Sequence, residues 1–337
     1  MKEQNIGFNN ERYLRNQVAA IKKLIGQSRE KLYIEFGGKI VHDRHAARVL
    51  PGYDENIKVK LIKKLCHSSE VIFVISAKDI MRGRVRGDFK ITYDKEAIRV
   101  LSELEKQGIK IKHVAIAMND ENSVKNRVII ALKKKMEKMG LSVHMFFCIP
   151  GYPSINIDWR AVDHNPFIKI NKRIVIILSP GGGSGKFGIC LNQLYGEMKS
   201  GVAPHYLKFE TFPVHDLPLY HPLNLAFMAA SADFYDKVML DKRHGTATSY
   251  NRDIENYELL HFLAKKFKSH GKYLRKLSSV TYMGVNRVST GIVDAELIER
   301  EAAAEIARRL VRYKFEVARG EEDEKVLDRT RGVLKLL

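Results

Sequence analysis

The stretch Arg173 to Leu191, RIVIILSPGGGSGKFGICL, constrains the fold more than any other part of the chain. Ile174 to Leu178 is an unbroken aliphatic and largely β-branched run, which suits a strand buried on both faces of a parallel sheet. Pro180 ends it, because proline has no N–H to give to a ladder. Gly181, Gly182, Gly183 and Gly185 then reach backbone angles closed to other residues, and successive amides in such a turn can converge on an anion. Beyond them Phe187, Cys190, Leu191, Leu194 and Met198 recur at helical steps, which predicts a helix that Gly201 closes. Strand, glycine turn and helix N-terminus together predict a phosphate site.

Two phosphate motifs overlap in this turn and call for different ligands. Read as a P-loop, Gly181, Gly182, Gly183, Ser184, Gly185 and Lys186 hold phosphate, and Gly185-Lys186 is the Gly-Lys pair. Pro180 then stands in for the first glycine, and Phe187 for the hydroxyl residue that ordinarily binds magnesium. Read as a dinucleotide fingerprint, Gly183, Gly185 and Gly188 fit GxGxxG. Glu210, closing the next expected strand, Tyr206 to Phe209, is then the acid for a ribose. The first reading takes ATP or another phosphorylated ligand and the second takes NAD, and the motif leaves both open.

Two more clusters fall at expected strand ends. Leu32 to Phe36 runs into Gly37-Gly38-Lys39, where backbone and ammonium could hold a second anion; the plainer reading is a turn before a helix capped by Asp43. After the apolar run Val71 to Ile75, Arg82, Arg84 and Arg86 alternate, so an extended backbone would send all three to one side, toward a phosphate or carboxylate. Strands and helices alternate as far as Cys148, residues 150–172 carry no clear period, and the pattern after Leu223 is largely helical. The expected fold is α/β: a doubly wound, mostly parallel sheet over 1–214, followed by a mainly helical region over 215–337. Ligands of such sheets bind beyond the carboxyl ends of the strands, where all three clusters lie.

Charge raises the question of nucleic acid, since 58 Lys and Arg stand against 39 Asp and Glu. The lysines punctuate nearly every expected helix, as at Lys22-Lys23, Lys63-Lys64 and Lys265-Lys266, which reads as solvated helix faces. No zinc-finger, homeodomain or RNA-binding pattern accompanies them, so specific nucleic-acid recognition is not expected. No run approaches the ~18 apolar residues of a membrane helix and the N-terminus has no apolar leader, so the expected place is the cytoplasm. Cys66, Cys148 and Cys190 lack metal or disulfide spacing and are expected to be reduced core thiols, while His205, His215 and His221 lack the spacing of a metal site. Val238 to Asp241, a short apolar run ending in a carboxylate, is the best candidate for the magnesium-linked acid of the P-loop reading, but with only three apolar residues it matches poorly and a buried loop is the plainer reading. No nucleophile triad, HExxH or CxxC is visible.

Several ordered stretches resemble the bacterial family called domain of unknown function 1846. They are KLYIEFGGK from Lys31, HAARVLPG, RGDFKITYD, SPGGGSGK with CLNQLY, KFETFPV with LPLYHP, YNRDIE, and MGVN from Met283. The resemblance implies a bacterial or archaeal protein with an α/β part and a helical part, and no known reaction. It also implies that this chain corresponds to an N-terminal portion, so that a C-terminal companion portion or chain would complete any shared site. Gly182 stands where the family often has proline, which loosens the turn. Three functions remain as expectations. One is a binder of a nucleotide or phosphorylated metabolite at 174–198, with phosphoryl transfer as its catalytic form; the others are an NAD(P)-dependent oxidoreductase and a non-catalytic basic binding module.

Overall fold

A computed structural model describes residues 6–28, 30–66, 68–210 and 212–337. Seven strands form one sheet: β1 Leu32–Phe36, β2 Ser69–Ser76, β3 His113–Asn119, β4 Ser142–Phe147, β5 Ile174–Leu178, β6 His205–Phe209 and β7 Gly284–Val285. Their order is β7-β6-β1-β5-β2-β3-β4, and every pairing is parallel. The fold is therefore the doubly wound α/β type expected. β5 lies at the centre with all five residues buried, and Ile176 faces Ile34 of β1 and Val71 of β2 across the ladders.

Side chains of β5 alternate between two cores. Ile174, Ile176 and Leu178 pack against the helices α1 (Asn10–Gln27), α3 (Ile57–Cys66), α4 (Tyr93–Lys106) and α5 (Arg127–Lys138). Val175 and Ile177 pack on the opposite face against α6 (Lys186–Lys199) and α8 (Asn251–Lys266). A third core joins α2 (Arg44–Val49), α7 (Pro222–Ala230) and the first half of α9 (Ala295–Ala318) through Ala46, Leu50, Ala226, Ile298, Ala302 and Ile306. A last helix, α10 (Lys325–Leu334), adds Val333 to it. The stretch beyond Val214 is mainly helical, and it also supplies β7, whose Val285 pairs with Phe209 at the sheet edge.

The wiring creates the site. β1 leads through α3 on one face to β2, whereas its neighbour β5 leads through α6 on the other face and in the opposite direction, to β6. The loops after β1 and β5 therefore diverge, and the crevice between them is the topological switch point at which such sheets bind ligands.

Among the described residues no helix is long and apolar enough to cross a membrane. The lysine pairs 22–23, 63–64 and 265–266 are exposed, as helix faces in water should be. Cys190 is buried but Cys148 is exposed, which corrects the expectation of a core thiol there: it follows β4, the edge strand, where one flank has no neighbouring strand. The side chain of Cys66 lies outside the described residues.

Candidate functional site

A cavity of about 520 Å³ opens over the switch point. Its wall includes Gly37, Gly38 and Lys39 after β1, Gly182 in the glycine turn, Glu210 after β6, and Arg82, Arg84 and Arg86. The three clusters read from the sequence thus meet at one place. The second half of α9 crosses over them and adds Arg309, Arg312, Tyr313 and Glu316.

The glycine turn takes the shape its composition calls for. Gly183 and Gly185 have φ of +73° and +87°, and α6 starts at Lys186. Side chains also need the space. A Cβ on Gly181 would lie 2.8 Å from the Tyr93 hydroxyl, and one on Gly183 would lie 2.5 Å from the Phe234 ring. Phe234 covers the turn and also lines a second cavity, of about 290 Å³, with Ser76, Met118 and Gly183. Arg84 lies over both aromatic covers, 4.5 Å from the Phe234 centroid and 5.0 Å from that of Tyr93.

This geometry predicts opposite effects for two glycines of the fingerprint. Gly183→Ala puts a side chain at positive φ and into Phe234, and should cost about 1–3 kcal/mol in chemical denaturation. Gly188 lies inside α6 with nothing within 4 Å of an added Cβ, so Gly188→Ala should stabilise by about 0.5–1 kcal/mol. The third glycine of a dinucleotide fingerprint exists to let helix and strand pack closely, and Gly188 makes no such approach.

Lys186 is folded beneath the turn. Its Nζ donates to Ser179 Oγ at 2.9 Å and approaches Gly181 O at 3.5 Å. Burial pushes its pKa from 10.5 down to about 8, with Arg252 and Lys208 adding to the effect and Glu35 opposing it. Glu35 accepts from the Tyr206 hydroxyl at 2.7 Å. Ser184 is buried and its hydroxyl has no hydrogen-bond partner.

Neighbours already engage most of the second cluster. The Gly37 N–H goes to Phe209 O, and the Gly37 and Lys39 carbonyls accept from the buried ammonium of Lys58. Lys58 also pairs with Asp43 at 2.9 Å, and Asp43 caps α2 as the plainer reading expected. Lys39 is paired with Asp88.

The three arginines do not point one way. Only Val85–Arg86 is extended, whereas Arg82 ends the short helix Ala77–Met81 in a helical conformation and bonds Asp79 from a largely exposed position. Arg84 spans Asp79 and Asp233. Arg86 is fully buried on Glu96 and on the carbonyls of Val41 and His42.

Glu210 is buried too, 3.1 Å from Lys208, with its side chain against Gly37. β6 is not a neighbour of β5, because β1 lies between them. A strand spacing of about 4.8 Å sets Glu210 roughly 10 Å to the side of the glycine turn, and in a dinucleotide fold the two strands are adjacent.

Sequence reading missed several wall residues. Arg252 pairs with Asp236 at 3.1 Å. Burial pushes the Asp236 pKa up to about 7, with Asp253 and Glu210 adding to the rise and Arg252 opposing it. Asp236 is therefore a wall acid able to exchange a proton near neutral pH. Arg309 and Arg312 continue the helical steps from Ile306, and a basic residue on an otherwise apolar stripe was the available signal. Gly87 gives Arg312 its room, since a Cβ there would overlap the guanidinium. Asp241, by contrast, is held by Thr281 through its N–H and hydroxyl, at 3.2 and 2.7 Å, and is not on this wall.

The model of the family described as "Domain of unknown function DUF1846, N-terminal" matches residues 6–337. Relatives include a "UPF0371 protein" of a type E strain of Clostridium botulinum, 39% identical over 98% of this chain and 66% of the relative. A "UPF0371 protein" of Clostridium tetani has the same identity and coverage. The chain thus spans about two thirds of the length of the relatives it matches. It belongs to the DUF1846 family, and none of these names assigns an activity.

Proposed function

We propose that this member of the DUF1846 family binds a small phosphorylated ligand, a nucleotide or a phosphorylated metabolite, with phosphate at the glycine turn. The observation that carries this reading is the meeting, at the switch point of the sheet, of a helix-capping glycine turn, with Lys186 folded beneath it, and a cavity walled by Gly182 and the arginines of three separate elements. Backbone amides of Gly181 to Lys186 would meet the phosphate, and Lys186 would regain its full charge beside it. Arg84 and Arg252 would hold equatorial oxygens or a second anionic group. As an enzyme the site would act by positioning and charge neutralisation, the demands of phosphoryl transfer, with Asp236 as the candidate proton acceptor.

The NAD alternative has less support, because β1 separates Glu210 from the glycine turn and a Cβ on Gly188 would meet no strand. The basic-module alternative has less support because the exposed lysines are spread over many helices.

Thermal unfolding against inorganic phosphate, ADP, ATP and NAD, with and without magnesium, tests the reading. A phosphorylated ligand at ~100 times its dissociation constant adds about 2.7 kcal/mol, a rise of a few degrees for a chain of this size. Absence of a rise with every compound sinks the proposal. A rise with NAD alone that Glu210→Ala abolishes selects the oxidoreductase instead. Salt-steep binding of a polyanion that ignores changes at Lys186 selects the basic module.

A further inference from the structure

Four buried side-chain atoms of residues lining the large cavity have no hydrogen-bond partner among the described residues: Nε of Arg86 and Oδ2 of Asp236, which face the ion-pair partners Asp88 and Arg252, and Nε2 of His45 and Nε of Arg309, which face none that completes them. His45 is 5% exposed, and its ring stands edge-on to Phe227 at 4.4 Å between centroids. Its Nδ1 lies 3.1 Å from Oε1 of Glu305, a carboxylate also bonded by Arg48 at 2.9 Å and Arg308 at 2.8 Å. His45 and these arginines hold the Glu305 carboxyl well below the usual range despite its burial. Glu305 is therefore ionised and can only accept, which puts the imidazole proton on Nδ1 and leaves Nε2 a bare acceptor. Burial keeps the ring neutral near pH 7, pushing its pKa down to about 4; the Glu305 hydrogen bond opposes this and the charge of Arg309 assists it.

Arg309 is the converse case. Its guanidinium stacks on Tyr313, 5.6 Å from the ring centroid, and among the described residues it has no ion pair. Its buried Nε–H is a donor without an acceptor. Apart from the ion-paired Arg86 and Asp236, the wall thus offers one unsatisfied acceptor and one unsatisfied donor, and Arg309 stands one helical turn beyond Glu305, the carboxylate that holds His45. A ligand hydroxyl satisfies both from a single atom, since it donates and accepts.

Building on the phosphate reading above, we infer that His45 and Arg309 form the hydroxyl-recognising end of the cavity, so that its ligand is a hydroxylated phosphate ester, a sugar phosphate or the ribose phosphate of a nucleotide. The ligand hydroxyl donates to His45 Nε2 and accepts from Arg309 Nε–H. Glu305 is a positioning residue that fixes the tautomer.

Calorimetric titration of the full chain with ethyl phosphate, glycerol 1-phosphate, ribose 5-phosphate and AMP tests this. At least one hydroxylated ester should bind about tenfold or more tighter than ethyl phosphate, the scale of a buried hydrogen bond regained. His45→Leu should remove that advantage and leave ethyl phosphate within about twofold, since Glu305 keeps both arginines. An advantage shared by ribose 5-phosphate and AMP marks the sugar as the recognised part, and one confined to AMP marks the nucleoside. Nitrogen-15 spectra of the wild-type imidazole give a check that needs no variant: a protonated Nδ1, with Nε2 shifting on addition of the preferred ester but not of ethyl phosphate. Equal binding of all four esters overturns the hydroxyl inference and leaves the phosphate reading standing. Binding of none overturns both. A protonated Nε2 in the free protein, or equal weakening of every ester by His45→Leu, also overturns the inference.

Discussion

Arg86→Ala should destabilise the protein by about 3–5 kcal/mol, the usual result of breaking a buried ion pair from one side. Arg86 is 2% exposed and Glu96 0%. Removing the guanidinium takes one partner from the Glu96 carboxylate, leaving it to Arg99, which bonds it at 2.7 and 2.8 Å. It also removes the Arg86 donor from the carbonyl of Val41, at 3.1 Å, and one of the two donors from that of His42, which keeps the Arg44 N–H, and it leaves a void against the Phe89 ring. Urea or guanidinium unfolding measures the effect as a fall in midpoint at unchanged slope. Arg86→Met combined with Glu96→Met should recover part of the loss, because replacing both members of a buried pair avoids the orphaned charge. An Arg86→Ala protein as stable as wild type, but weaker for phosphate, would return Arg86 to the role of ligand contact suggested by its alternation with Arg82 and Arg84.

Lys186→Met should act in the opposite direction on stability while removing ligand binding. Lowering the lysine pKa from 10.5 to about 8 corresponds to on the order of 3 kcal/mol of net penalty on the buried charge. Methionine keeps much of the apolar stem without that charge, and Glu35 retains the Tyr206 hydroxyl. The ligand-free variant should therefore unfold at higher denaturant than wild type at neutral pH. The dependence on pH follows from linkage. Because the folded pKa lies below the unfolded one, the penalty is complete below about pH 8 and fades as pH rises toward 10.5, since there the unfolded chain holds more protons. The advantage of the variant should fade over the same interval. Phosphate affinity should fall at least about tenfold with the charge-assisted contact gone. Wild-type affinity should decline as pH passes 8, where the free protein loses the proton that binding needs. A variant that binds phosphate as wild type does would remove Lys186 from the site, whatever its stability.

The central motif was legible in the sequence because each of its determinants is local. Branched aliphatic side chains favour a buried strand, glycine alone takes φ near +73° or +87° cheaply, and the apolar steps from Phe187 to Met198 mark one helix face. The same holds for the Asp43 cap and for the exposed lysine pairs. Alternation of strands and helices with continuous apolar strands dictates a parallel sheet with its loops at one edge, and so places Gly37 to Lys39, the arginines and the glycine turn at that edge.

Which of those side chains face the cavity freely was decided only by the tertiary structure. Arg82, Arg84 and Arg86 are alike in sequence, yet one is largely exposed on Asp79, one spans Asp79 and Asp233 against the Tyr93 and Phe234 rings, and one is sealed against Glu96. Lys39 is taken by Asp88, and α9, more than a hundred residues after the glycine turn, brings Arg309 and Arg312 over it. Strand order was equally hidden, and the insertion of β1 between β5 and β6 moves Glu210 away from the glycine turn. Propensity, periodicity and turn chemistry depend on neighbours along the chain, so they can be read from it. Ion pairing and strand adjacency depend on which distant segments the fold brings into contact, and that depends on how the whole chain packs.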